Sequence, residues 1–137
     1  MDNKNNYHMG INLVLKIIDG KWKPSIICAL GLKERRYNEL LRYECEVNNT
    51  EISKKVMSEQ LKQLEDDQIV ERTSFGTVPP KVVYSLTEYG QELRGMMIEM
   101  SKFGEDIAKE LQSDDDPITF DYSYREINPD AYAAKQA

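Results

Sequence analysis

Along Ser53–Asp67 the side chains divide into two kinds. Met57, Leu61 and Leu64 recur at i, i+4 and i+7, and at 100° per residue Lys55, Glu59 and Lys62 fall on the opposite side with Ser58 beside them. Ammonium and hydroxyl groups are hydrogen-bond donors suited to phosphate oxygens and to acceptors on base edges. On an isolated helix the same pattern is an ordinary solvated face. Its meaning depends on what the neighbouring segments build around it. Downstream, Arg72 and Lys81 lie in two short β-rich runs, where they either meet a phosphate backbone or remain solvated strand charges.

Other chemistries lack their residues. The single histidine, His8, sits in a polar leader, which argues against a His-based zinc site or a Ser-His-Asp triad. Cys28 and Cys45 lack metal-ligand spacing and are too few for a disulfide scaffold. The Asp114-Asp115-Asp116 run offers fewer ordered oxygens than calcium requires. There is no glycine-rich phosphate loop and no nucleophile paired with a base, so we expect no enzyme, no catalytic residue, no metal and no cofactor. Cys28, in an apolar helical segment, reads as an unreactive core thiol. Cys45 reads as part of a polar loop and is the candidate redox residue, although Glu44 and Glu46 beside it would blunt its reactivity.

The chain has 137 residues, enough for one domain with a modest core, and its 40% hydrophobic and 31% charged content is that of a soluble globular protein. No apolar run approaches the ~18 residues of a membrane span. The N-terminus lacks the layout of a signal peptide, so the expected location is cytoplasmic. Net charge is −6, unevenly spread. From Ser113 onward six acids face two bases, whereas Lys21–Arg42 carries six bases (Lys21, Lys23, Lys33, Arg35, Arg36, Arg42) against Glu34 and Glu39. A locally basic face suffices to bind phosphates, because salt limits the reach of distant charges to about 10 Å.

These residues need elements to position them. Ile11–Asp19 is a short helix with Ile11, Val14, Leu15 and Ile18 on one stripe, and Gly20 ends it. Its broad apolar face suggests burial by its own core and by a partner chain. Pro24 opens a second helix that ends near Gly31. Arg35–Tyr43 reads as a third helix, and Glu44–Glu51 as a polar loop. Ser53 caps the fourth helix, Ser53–Asp67. Ile69–Phe75 and Lys81–Leu86 form a hairpin with Gly76 and Pro79-Pro80 in its turn, Val82, Tyr84 and Leu86 sharing a face. Thr87 then caps a long helix on which Leu86, Tyr89, Leu93, Met96, Met100, Phe103, Ile107 and Leu111 make a near-heptad stripe. So small a domain cannot cover all of it, which points to a second copy. A core helix would use only the N-terminal half and leave Phe103, Ile107 and Leu111 uncovered.

Helix, hairpin, helix is the order of a winged helix-turn-helix. The expected fold is mainly α with a small β-hairpin wing, flanked by N- and C-terminal dimerisation helices. Residues 1–112 form this domain and 113–137 an acidic, aromatic tail, part of which packs back.

The chain resembles the HxlR-type winged-helix regulators of bacteria, relatives of the MarR group. The resemblance runs from Leu15 to about Gly104. It rests on Gly20-Lys21-Trp22-Lys23-Pro24, Arg36-Tyr37-Asn38-Glu39-Leu40, Ile52-Ser53-Lys54-Lys55, Leu61, Leu64-Glu65, Val70-Glu71-Arg72, Pro79 through Thr87, Gly90, and Phe103-Gly104 where the family has Trp-Gly. It implies a homodimeric transcription factor on a pseudo-palindromic operator, with helix 53–67 in the major groove and wing 69–86 on phosphates. Carried over by position, Ser53, Lys54, Lys55, Ser58 and Lys62 contact the groove and phosphates, with Arg36, Arg72 and Lys81 outside them. Ile11, Val14, Leu15, Ile18, Met96, Met100, Phe103, Ile107 and Leu111 serve dimerisation. Trp22 packs the second helix onto the wing.

Two departures stand out. Several members of the family sense electrophiles or oxidants through a cysteine before the first helix, where this chain has Tyr7-His8-Met9-Gly10. The loop Tyr43–Glu51 reads as longer than the family's turn, with Glu51 in place of its glycine. Met96, Met97 and Met100 could also line a small-molecule effector site. The competing expectation is a winged-helix module for protein–protein contact without DNA binding, favoured by the acidity and the aromatic tail.

Overall fold

In a computed structural model, described here for residues 5–127, six helices and one hairpin follow the order α1 Gly10–Ile17, α2 Lys23–Leu32, α3 Tyr37–Val47, α4 Lys54–Asp66, β1 Val70–Phe75, β2 Lys81–Leu86, α5 Glu88–Leu111 and α6 Tyr124–Ile127. The fold is mostly helical with a two-stranded antiparallel wing. Ile26, Ile27 and Leu30 of α2 lie at the centre of the core with Leu40 of α3, Met57, Leu61 and Leu64 of α4, and Leu93 and Met97 of α5. The apolar stripe on α4 is therefore wholly internal, and the opposite side is exposed.

Two left-handed turns shape the reading unit. Helix α3 runs through Val47 rather than stopping at Tyr43, so the expected polar loop is half helix. Its end is at Asn48–Asn49, where Asn49 takes φ 49° and the Thr50 N–H donates back to the Cys45 carbonyl. Asparagine tolerates that conformation, and the Asn-Asn pair was the overlooked stop signal. Glu44, which made the segment look polar, is fully buried. Helix α4 ends in the same way, with Gln68 at φ 62° and the Ile69 N–H donating to the Leu64 carbonyl at 2.9 Å.

The hairpin pairs Val70 with Leu86 through to Phe75 with Lys81. Strand β2 is the inner strand. Beyond it, Arg35 exchanges backbone hydrogen bonds with Tyr84 in both directions (3.0 and 2.8 Å), adding a one-residue third strand. Val82, Tyr84 and Leu86 share one face of β2, yet Val83 on the other face is buried too, so the strand is packed on both sides.

Thr87 joins the wing to α5. Its hydroxyl accepts from the Gly90 N–H (3.0 Å) and donates to the Gln68 carbonyl (2.5 Å), while its own N–H donates to the Ile69 carbonyl (3.0 Å). Gly90 is obligatory here, since a Cβ would collide with the Ile69 carbonyl oxygen.

Helix α5 carries two apolar seams. Gly90, Leu93 and Met97 turn inward, continuing from Leu86 at the end of β2, whereas Tyr89, Met96, Met100, Phe103, Ile107 and Leu111 are all exposed. The seams are one residue, or about 100°, apart. Only Leu86 and Leu93 of the expected stripe are covered by the chain itself, and even Met96 and Met100 in its N-terminal half are not. Beyond α5 the chain turns back: the Tyr124 N–H donates to Glu105 Oε2 at 2.6 Å, and α6 packs on α5 and α2. Tyr132 and the rest of 128–137 lie outside the described residues.

Candidate nucleic-acid interface

The N-terminus of α4 is built to present donors. Ser53 is extended at the N-cap, and its hydroxyl accepts from the Val56 N–H at 3.1 Å, which satisfies one of the helix's open amides. Ser53, Lys54, Lys55, Ser58 and Lys62 are all exposed. Tyr37 ties α3 to α4. Its hydroxyl donates to the Lys54 carbonyl (3.1 Å) and lies 3.0 Å from Ser58 Oγ.

The structure brings some of the expected residues together and separates others. Ser58 and Lys62 of α4 share a depression of about 360 Å³ with Arg72 of the wing and with Glu65. Lys62 is held to Asp66, Nζ to Oδ1 at 3.0 Å, and that hydrogen bond raises its pKa. Arg72 also borders a second depression lined by Glu65, Glu71, Glu88 and Glu92. The basic character is therefore concentrated at the N-terminal half of α4, and the C-terminal half is acidic. Lys81 lies at the start of β2, its ammonium 5.2 Å from the centre of the Phe75 ring. Arg36 is the exposed N-cap residue of α3.

The basic segment Lys21–Arg42 is smaller at the surface than its count suggested. Lys23 is buried at the start of α2. Arg35 is buried as well: its Nε donates to the Ala29 carbonyl at 3.2 Å and its guanidinium lies 3.9 Å from the centre of the Tyr43 ring. Both are structural, which leaves Lys21, Lys33, Arg36 and Arg42 exposed. Trp22 is tied to α4 through its backbone N–H, which donates to Gln60 Oε1 at 3.0 Å.

Neither cysteine is an exposed loop thiol. Cys45 lies on α3, half-buried against the core, and its sulfur accepts from the Ile52 N–H at 3.4 Å. The placement in a polar loop is corrected accordingly. Burial pushes the Cys28 thiol up to about 11, which removes its thiolate near neutrality. Among the expected dimerisation residues, Ile11 and Leu15 are exposed like the outer seam of α5, whereas Val14 and Ile18 are half-buried against the chain's own core. Among the described residues no group of His, Cys, Asp and Glu could hold a metal ion, and no helix is long and apolar enough to cross a membrane.

With this geometry in place, the comparisons are direct. The HxlR-like helix-turn-helix family model matches residues 17–112. YtcD of Bacillus subtilis (strain 168), an uncharacterized HTH-type transcriptional regulator, is 36% identical over 101 residues, covering 74% of this chain and 76% of that protein. The redox regulator HypR in its reduced form superposes with a TM-score of 0.65 at 35% identity, over 75% of this chain and 97% of that one. A candidate MarR-family transcriptional regulator from Enterococcus faecalis V583 gives 0.68 at 31% identity, over 81% and 97%. The wing, the capped α4 and the Thr87 joint described above all fall within the matched span, and the chain belongs to the HxlR-like helix-turn-helix family of transcriptional regulators.

Proposed function

We propose that the protein acts as a homodimer on a pseudo-palindromic operator. Each protomer lays the N-terminal half of α4 in a major groove and its wing along neighbouring phosphates. The observation that carries this reading is the division of α4: Met57, Leu61 and Leu64 lock one side in the core, and Ser53, Lys54, Lys55 and Ser58 are exposed at the other. The outer seam of α5, together with Ile11 and Leu15, supplies the apolar surface that a second copy would cover. Footprinting the purified protein on the DNA flanking its gene tests this directly. Two protected half-sites about one helical turn apart are expected, with affinity falling steeply as salt rises. Absence of binding to both that DNA and random duplex at low salt would overturn it.

The acidic surroundings of Arg72 favour a second reading, a winged helix that contacts protein rather than DNA. The paired change Lys55→Glu with Lys62→Glu separates the two. Loss of DNA binding supports the operator reading. A wild-type protein that binds a protein partner but no DNA, with the partner retained in the variant, supports the other.

A further inference from the structure

Between α2, α3, α5 and the returning segment lies a cavity of about 460 Å³. Cys28 and Leu32 form its floor, Tyr43 and Met97 two sides, and Tyr122 and Ile127 its outer wall. The family match stops at residue 112, so the outer wall lies outside the matched span. That segment does not fill the space it closes. It is tied to α5 by the bond from the Tyr124 N–H to Glu105, and the volume it leaves is in the usual range of small-molecule sites, about 300–1,000 Å³.

The chemistry of the wall selects an occupant. Apolar and aromatic side chains dominate it, and Ser25 and Asn48 are among its polar members. Both bond Glu44 Oε2, at 2.6 and 2.7 Å. Glu44 itself lies behind them and does not line the cavity, so Ser25 and Asn48 are the polar groups an occupant meets on that side. Glu126 also lines the cavity, and no Lys, Arg or His does. A carboxylate- or sulfonate-bearing ligand would meet no counter-charge there.

We propose that this cavity is an effector site for a small, largely aromatic molecule, neutral or cationic, with Tyr122, Glu126 and Ile127 of the returning segment as its outer wall. Occupancy would set the separation of α5 from α3, and α3 leads through the Asn48–Asn49 turn into α4. Binding itself does not depend on the DNA reading above, so the two stand or fall separately.

The probe is N-phenyl-1-naphthylamine, a neutral two-aromatic molecule with one N–H donor, titrated into the full-length protein. A saturable rise in fluorescence with one site per chain is expected. Its sulfonated analogue, 8-anilinonaphthalene-1-sulfonate, should bind roughly tenfold more weakly. Ser101→Trp fills the cavity from α5 and Tyr122→Ala opens its wall. Each should weaken the probe by about tenfold or more. Tyr122 is exposed, so its removal keeps the test decisive if bulk at position 101 unfolds the chain. No saturable binding, equal or tighter binding of the sulfonate, or binding that survives both changes (as it would on the outer seam of α5) overturns the proposal.

Discussion

The outer faces of α4 and α5 are both uncovered by the chain, yet they are opposite in kind. On α4 the exposed positions are lysine, serine and glutamate, which water satisfies fully until something better arrives. On α5 they are Met96, Met100, Phe103, Ile107 and Leu111, with Phe103 65% and Leu111 68% exposed. Apolar area of that extent is costly in water and marks a contact surface. An exposed polar face permits a partner, whereas an exposed apolar face calls for one.

The largest test of that contrast is on α5. Met100→Asp with Phe103→Asp should leave helical content unchanged, because neither side chain contributes to the chain's own core, and should give a monomer by light scattering. Operator affinity should then fall on the order of 100-fold, as two linked half-site contacts become independent. A stable dimer in this variant would remove α5 from the interface. On α4, Lys55→Glu should weaken DNA binding about tenfold and reduce the salt dependence by about one ion per protomer, with little change in melting temperature. Equal loss at every salt concentration would show that Lys55 meets no phosphate.

Glu44 sharpens the contrast from the inside, as a charge on neither face. Burial raises its pKa above the ordinary 4.5, against the opposing effect of its bonds to Ser25 and Asn48 and of Arg35. The folded protein thus holds a proton that the unfolded chain has already released. Stability falls as pH rises from about 4.5 through the raised value. Glu44→Gln should abolish that component, so wild type and variant diverge in urea titrations across this window with wild type losing ground as pH rises. Glu44→Ala strands the donors of Ser25 and Asn48 and should cost about 2 kcal/mol at any pH. The smallest effect belongs to the cap. Ser53→Ala should cost about 1 kcal/mol in thermal or denaturant unfolding, and Ser53→Asp much less.

Where sequence and structure agree, the signal was periodic or local. Met57, Leu61 and Leu64 announced the inner face of α4, Ser53 and Thr87 the caps, and Gly76 and Pro79-Pro80 the turn of the hairpin. The misreadings share a different cause. Glu44 and Cys45 sit in a stretch whose polarity suggested a loop, but Glu44 is buried because Ser25, nineteen residues away, donates to it. Lys23 and Arg35 were counted as surface charge, and only the tertiary fold shows that both are enclosed. The Tyr37 hydroxyl ties α3 to Lys54 and Ser58 of α4, many residues downstream. On α5 the sequence showed a stripe but not which of two adjacent seams the core would take. In each case the deciding partner is distant in sequence, and no spacing rule encodes it.

The joint at Thr87 has a mechanical consequence. One side chain grips the carbonyl that ends α4's turn and the amide that begins α5, and Gly90 lets the two backbones touch. The arrangement leaves little slack between the two helices, so α4 and α5 behave as the arms of one bent lever. If two such levers are paired along α5, any change of pitch between them swings both α4 arms by the same angle. The span between the reading heads is then a property of the interface, adjustable without altering a single residue that meets the ligand of α4.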